Sequence, residues 1–220
     1  MEISPQIFRE YDIRGIASPG ADSPVTLSED VVERIGQAFA VYLRRKRTHN
    51  TVCVARDGRL TSKSLARALI DGIMAGGINV VDLGQAPTPV LYFALFNLKV
   101  DGGVMITGSH NPKDMNGLKL ACGTSTLYGD EIREILRMIL DDDLQKGPAE
   151  GRVETADISG RYLEMLQSKI SLGPRKLKVV ADCGNGTAGL HVWPFLESIG
   201  CAVVSLFDKP DGTFPNHHPD

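Results

Sequence analysis

A hydroxyl, an imidazole and an ammonium group fall within one short stretch of this sequence, "TGSHNPKDMNGLKL" at 107–120, as Ser109, His110 and Lys119. A serine hydroxyl can accept an acyl or a phosphoryl group, an imidazole can move its proton, and an ammonium can offset developing charge. The acyl reading is poorly served. Neighbouring residues in extended backbone point to opposite sides, so Ser109 and His110 are not expected to pair as nucleophile and base. The sequence also has no Gly-x-Ser-x-Gly elbow. A phosphoserine fits better, because its charge of about −1.5 to −2 needs cations around it. His110, Lys119 and the arginine of "YDIRG", Arg14, are available for that purpose. Gly108 is expected to supply the backbone freedom that turns Ser109 outward, and Pro112 to stiffen Asn111. A plain surface turn with a solvated lysine could have the same residues.

The elements that must position this loop alternate between helical and extended periodicity. Ser28 is placed to cap a helix with Glu29 and Asp30 in its first turn and Val31, Ile35, Phe39 and Tyr42 as its stripe. The basic run Arg44–Arg47 fits that helix's C-terminus. "TVCVA" at 51–55 reads as a strand, and Thr61 as the cap of a helix that stops at Gly76-Gly77. "INVVDL" at 78–83 is a second strand, followed by a short helix to about Leu98 and the strand "GVMIT" that ends in the loop. "NGLKLA" at 116–121 alternates, with Leu118 and Leu120 on one face and Lys119 on the other. A helix over 129–140, a charged linker at 141–148, a helix over 156–170, a strand at 177–182, a helix over 187–199 and a strand at 202–207 complete the reading. The fold class is α/β: a mixed sheet layered with helices over residues 1–150, then an incomplete second α/β domain over 151–220.

Bulk properties exclude several classes. With 42% hydrophobic and 23% charged residues in 220, the chain reads as a globular protein. A net charge of −3 gives no reason to expect nucleic acid or an anionic membrane as partner. No apolar run is long enough for a membrane span, and the N-terminus is not patterned as a signal peptide. Cys53, Cys122, Cys183 and Cys201 lack Cys-x-x-Cys spacing and read as buried free thiols, which points to a reducing, cytoplasmic compartment.

Four stretches, in order, resemble the α-D-phosphohexomutase family: "FREYDIRG" at 8–15, "TGSHNPKDMNGLKL" at 107–120, "DCGNGTAG" at 182–189 and "DGTFPNHHPD" at 211–220. Gly108 and "NGLK" lean toward its phosphomannomutase/phosphoglucomutase branch. The resemblance implies that Ser109 is phosphorylated and passes its phosphoryl group to a hexose 1- or 6-phosphate. The bisphosphorylated sugar then turns over and returns its other phosphate to the serine. By the same resemblance His110 aids proton transfer, Lys119 and Arg14 offset phosphoryl charge, and Tyr11 lines the substrate cleft. Mg²⁺ is implied on the phosphate of Ser109.

In that family an Asp-x-Asp-Gly-Asp-Arg loop holds the metal and further domains follow, a pattern absent from these residues. The expectation is therefore the N-terminal part of a mutase, inactive alone. Two alternatives stand beside it. Gly184–Gly189 reads Gly-x-Gly-x-x-Gly after a strand, as in a dinucleotide-binding oxidoreductase, with Asp208 as ribose acid. A non-catalytic fragment that associates through the exposed second domain, self-association included, is the other. His217-His218 are not expected to bind a metal, because neighbouring histidines in a Pro-flanked loop point apart.

Overall fold

The computed structural model describes residues 3–18, 23–47 and 50–219; part of the polar stretch 17–27 and the final Asp220 lie outside them. The chain forms β1 (Ile13–Ile16), α1 (Glu29–Lys46), β2 (Thr51–Arg56), α2 (Ser62–Ala75), β3 (Asn79–Gln85), α3 (Thr88–Asn97) and β4 (Gly102–Ile106). There follow β5 (Met115–Cys122), β6 (Ser125–Thr126), α4 (Asp130–Leu140), β7 (Val153–Thr155), α5 (Ser159–Lys169), β8 (Lys178–Asp182), α6 (Val192–Ser198) and β9 (Ala202–Leu206).

One sheet has the order β1-β5-β4-β2-β3-β7, with the short β6 on β5. β2 runs parallel to β3 and β4, and β3 to β7; β5 is antiparallel to β4 and β1. β8 and β9 pair parallel in a second sheet. This is the mixed α/β architecture the periodicity predicts.

The two-residue period of the strands assigns the layers. In β2, Val52 and Val54 enter a core with α1, α2 and α4, while Cys53 and Ala55 enter another with α3. α1 starts as predicted, with Ser28 Oγ accepting from the Val31 N–H at 3.4 Å. Its basic last turn ties to the linker, where Arg45 pairs with Asp143 at 2.8 Å. The four cysteines are free, and burial pushes the Cys53 thiol up to about 12.

Three local features differ from expectation. β1 and β7 were not foreseen: β1 is short and mixes Arg14 and Gly15 with its isoleucines, and every residue of β7 is exposed, so neither has an alternation to read. Thr61 occupies the cap position of α2 without capping it, because its Oγ1 accepts instead from Asn116 Nδ2 at 3.0 Å. The helix expected over 187–199 is divided into a 3₁₀ turn, Thr187–Leu190, and α6. Pro194, the third residue of α6, has no N–H to give to the Leu190 carbonyl and its ring crowds that carbonyl, so the helix breaks in the turn before it.

Candidate active site

The loop between β4 and β5 leaves the sheet at Thr107, whose N–H donates to the Gly117 carbonyl at 3.0 Å. The left-handed residue in it is Ser109, with φ 55°, rather than the glycine before it. Gly108 is required for a different reason: a Cβ there would strike the guanidinium of Arg59. The Ser109 N–H donates to Thr107 Oγ1 at 2.8 Å and fixes the bend. The left-handed backbone also overturns the extended-chain expectation for the next residue. Ser109 Oγ and His110 Nδ1 lie 3.4 Å apart, both on exposed side chains.

Beneath the loop lies a residue that sequence reasoning missed. The Arg59 side chain is 1% exposed and pairs with Asp57 at 3.2 Å. Its Nη2 donates to the carbonyls of Ser109 at 2.9 Å and Asn111 at 2.7 Å, its Nη1 to those of Pro112 at 2.6 Å and Met115 at 3.1 Å. Asp57 in turn accepts from the Gly108 N–H at 3.3 Å and from the Ser62 hydroxyl. Burial pulls the guanidinium below its usual pKa, with Asp57 opposing. The one signal in the sequence is an Asp-Gly-Arg turn straight after a buried strand, and β2 and β4 are sheet neighbours.

Arg14 and Lys119 meet at one carboxylate. Asp12 Oδ2 accepts from Arg14 Nε at 2.7 Å and from Lys119 Nζ at 3.5 Å, with its side chain 10% exposed. Antiparallel pairing of β1 with β5 sets Arg14 opposite Gly117 and so beside Lys119 on the face that covers α3. Arg14 Nη1 then reaches the loop itself, donating to Asn111 Oδ1 at 3.1 Å and to the Gly108 carbonyl at 3.5 Å. Two cations share one carboxylate, so the group retains excess positive charge. Tyr11 is 71% exposed and does not line the cavity beside Ser109.

The opposite wall comes from the second sheet. A cavity of about 270 Å³ has Asp57, Thr107 and Ser109 on one side and Asp182, Gly184, Gly186 and His217 on the other. The Gly-x-Gly-x-x-Gly turn is thus part of the Ser109 cavity. Its first glycine, with φ 52°, lies where a Cβ would meet the His217 ring. His217 contacts Asp182 and the His218 carbonyl, so the neighbouring histidines do not converge. Phe214 lies over the Arg59 guanidinium, 5.4 Å from ring centre to Cζ. Among the described residues no three His, Cys, Asp or Glu side chains gather as a metal site, and no helix is long and apolar enough to cross a membrane.

Residues 5–146 match the family model of phosphoglucomutase/phosphomannomutase α/β/α domain I, and residues 160–220 that of α/β/α domain II. A phosphomannomutase/phosphoglucomutase of Pseudomonas putida is 42% identical over 214 residues, 97% of this chain and 44% of the relative. A phosphoglucomutase of Neisseria meningitidis serogroup B is 40% identical over 218 residues, 99% of this chain and 46% of the relative. A crystal structure of a phosphoglucomutase/phosphomannomutase family protein from Burkholderia thailandensis superimposes with a TM-score of 0.89 at 42% identity, covering 100% of this chain and 47% of that one. The chain therefore spans about half the length of these relatives. The match at 160–220 takes in the glycine turn, so the dinucleotide reading of 184–189 is set aside. Both matches, the shared fold and a serine loop backed by the buried Arg59 lead to one assignment: the chain belongs to the phosphoglucomutase/phosphomannomutase family.

Proposed function

We propose that Ser109 is the phosphoryl-transfer residue of a hexose phosphate mutase that interconverts 1- and 6-phosphates through a bisphosphorylated sugar. One observation supports this most directly: an exposed serine hydroxyl stands on a loop held from behind by Arg59, while Arg14 and Lys119 share the single carboxylate of Asp12. An excess of partly buried positive charge beside a rigid hydroxyl suits a phosphate dianion better than an acyl group.

In the forward step a sugar hydroxyl attacks the phosphorus on Ser109, the Oγ–P bond breaks, and the hydroxyl proton passes to His110. The bisphosphorylated sugar reorients, Ser109 Oγ attacks its other phosphorus, the sugar O–P bond breaks, and His110 returns its proton to the freed sugar oxygen, which regenerates the phosphoserine and releases the isomer. Arg14 and Lys119 offset the charge on the transferring oxygens, and Tyr11 borders the sugar. Residues 1–150 form the phosphoserine domain on this reading and 151–220 the facing wall, with β7 as the strand after residue 150 that joins the first sheet.

Mg²⁺ would neutralise phosphate oxygens when bound. The described residues do not form a cage for it. Asp57 is committed to Arg59 and Gly108, and Asp12 to Arg14 and Lys119.

The test is labelling. Protein expressed from its own open reading frame is incubated with glucose 1,6-bisphosphate, and the peptide bearing Ser109 is analysed by mass spectrometry. One added phosphoryl group on Ser109 is the expected result. Phosphate on another residue, or none, overturns the proposal.

A further inference from the structure

His217 sits across the cavity from Ser109 with both ring nitrogens directed at oxygen acceptors. Nδ1 is 2.7 Å from the His218 carbonyl, and Nε2 is 3.2 Å from Asp182 Oδ1. A neutral imidazole has one N–H and one lone pair, so it would turn the lone pair toward an acceptor. The imidazolium, with two N–H donors, satisfies both. The ring packs in a T-shaped contact with Phe207, at 5.9 Å between centroids, and rests against Gly184, which has no Cβ in its way.

Asp182 gains from this arrangement. Its carboxylate lines the cavity and accepts from the Gly184 N–H at 2.9 Å, but its only cationic partner among the described residues is His217. A bare carboxylate on the wall of a phosphate cavity would repel its ligand. We propose that His217, as an imidazolium clasped between Asp182 and the His218 carbonyl, is a positioning residue that neutralises the far wall and so lets the Ser109 cavity admit a phosphate-type dianion. This rests on the reading of Ser109 as the phosphoryl-transfer residue. Loss of the His217 proton leaves Asp182 unbalanced and weakens anion binding.

The charged and titratable groups around His217 agree with that direction. Asp182 and Cys183 flank it at the end of β8, His218 follows it in the chain, and Ser109 and Asp57 face it across the cavity. Asp57 is balanced by Arg59, and burial, with Asp208 and Asp182, pushes the Cys183 thiol upward so that it stays neutral. The His217 pKa is raised, first by the His218 carbonyl and then by Asp182.

Sulfate is the probe, because it stays a dianion at neutral and alkaline pH. Amide NMR of the 220-residue chain follows sulfate binding at Ser109 and Gly186 at about pH 6 and about pH 8.5, below and above the ordinary histidine value. The double variant Asp182→Asn/His217→Gln, whose wall is neutral at both pH values, serves as the reference; His110 contributes alike to all forms. Wild type should match this reference at the lower pH and bind about fivefold or more weakly than it does at the higher pH. His217→Gln should be weaker than the reference at both, and Asp182→Asn, which keeps the imidazolium without its carboxylate, should be at least as tight as the reference at the lower pH. Equal affinities for wild type, His217→Gln and Asp182→Asn at both pH values would overturn the role of His217 while leaving the Ser109 reading intact. Absence of any sulfate response at Ser109 in every form would remove both.

Discussion

Arg59 Nη2 donates to the main-chain carbonyl of Ser109 at 2.9 Å, so the guanidinium holds the serine from behind and leaves its hydroxyl on the open side of the loop. Four carbonyls of the loop, those of Ser109, Asn111, Pro112 and Met115, converge on this one side chain. Only a planar fork of N–H groups can reach them together.

Arg59→Met should therefore destabilise the chain by about 3–5 kcal/mol, because the half-buried Asp57 carboxylate loses its cationic partner and four loop carbonyls lose their donor. Urea unfolding reads the loss. A cost below about 1 kcal/mol, the level of an exposed ion pair, would show that the loop does not depend on Arg59.

Ser109 holds a left-handed φ of 55° that disfavours any side chain. Ser109→Gly should be about 1 kcal/mol or more stable than Ser109→Ala, while neither variant accepts a phosphoryl group. Thermal melts of the two variants compare them directly; Ala equal to Gly would mean the loop relaxes out of this conformation.

Gly108→Ala forces a methyl group against the Arg59 guanidinium. Overpacking of this kind should cost about 1–3 kcal/mol, and the disturbance should spread to the amide signals of Ser109 and Asn111. A variant as stable as wild type, with those signals unmoved, contradicts the close approach.

Lys119→Ala removes one of two cations on Asp12. Loss of such a donor near a transferring phosphoryl group should raise the barrier by about 2.7–4 kcal/mol. The ratio of kcat/KM for glucose 1-phosphate, measured on protein from its own open reading frame, gives the number. An unchanged ratio would place Lys119 outside the reaction.

The Asp182–His217 pair also predicts the pH response of stability. The folded His217 pKa is raised above its unfolded value, so its contribution is complete below the ordinary histidine range and disappears as pH rises through the folded value. Asp182 is lowered, first by the Gly184 N–H and then by His217, so its contribution is present above the ordinary carboxylate range and lost in acid. Both are in force in mildly acidic solution. The Tm difference between wild type and His217→Gln should shrink from about pH 6 to about pH 8.5; a difference that grows instead refutes the assigned charge.

Much of the architecture was legible in the order of the residues. Ser28 capping α1, the apolar stripes of α1 and α2, the alternation of β5 and the strand that runs into Thr107 depend on neighbours within a few positions, and periodicity reports such relations. The position of Ser109 at a strand end was legible for the same reason. Its left-handed backbone was not, because a serine gives no local sign of a conformation that its surroundings impose. Arg59 is 50 residues from Ser109 and His217 is 35 from Asp182. Such pairs exist only after parallel strands have brought one loop beside another. Length, periodicity and motif thus determined the layers and the place of the serine loop, whereas folding in three dimensions decided which charges stand behind the serine and which face it, because burial and Coulomb interactions depend on distance in space and not along the chain.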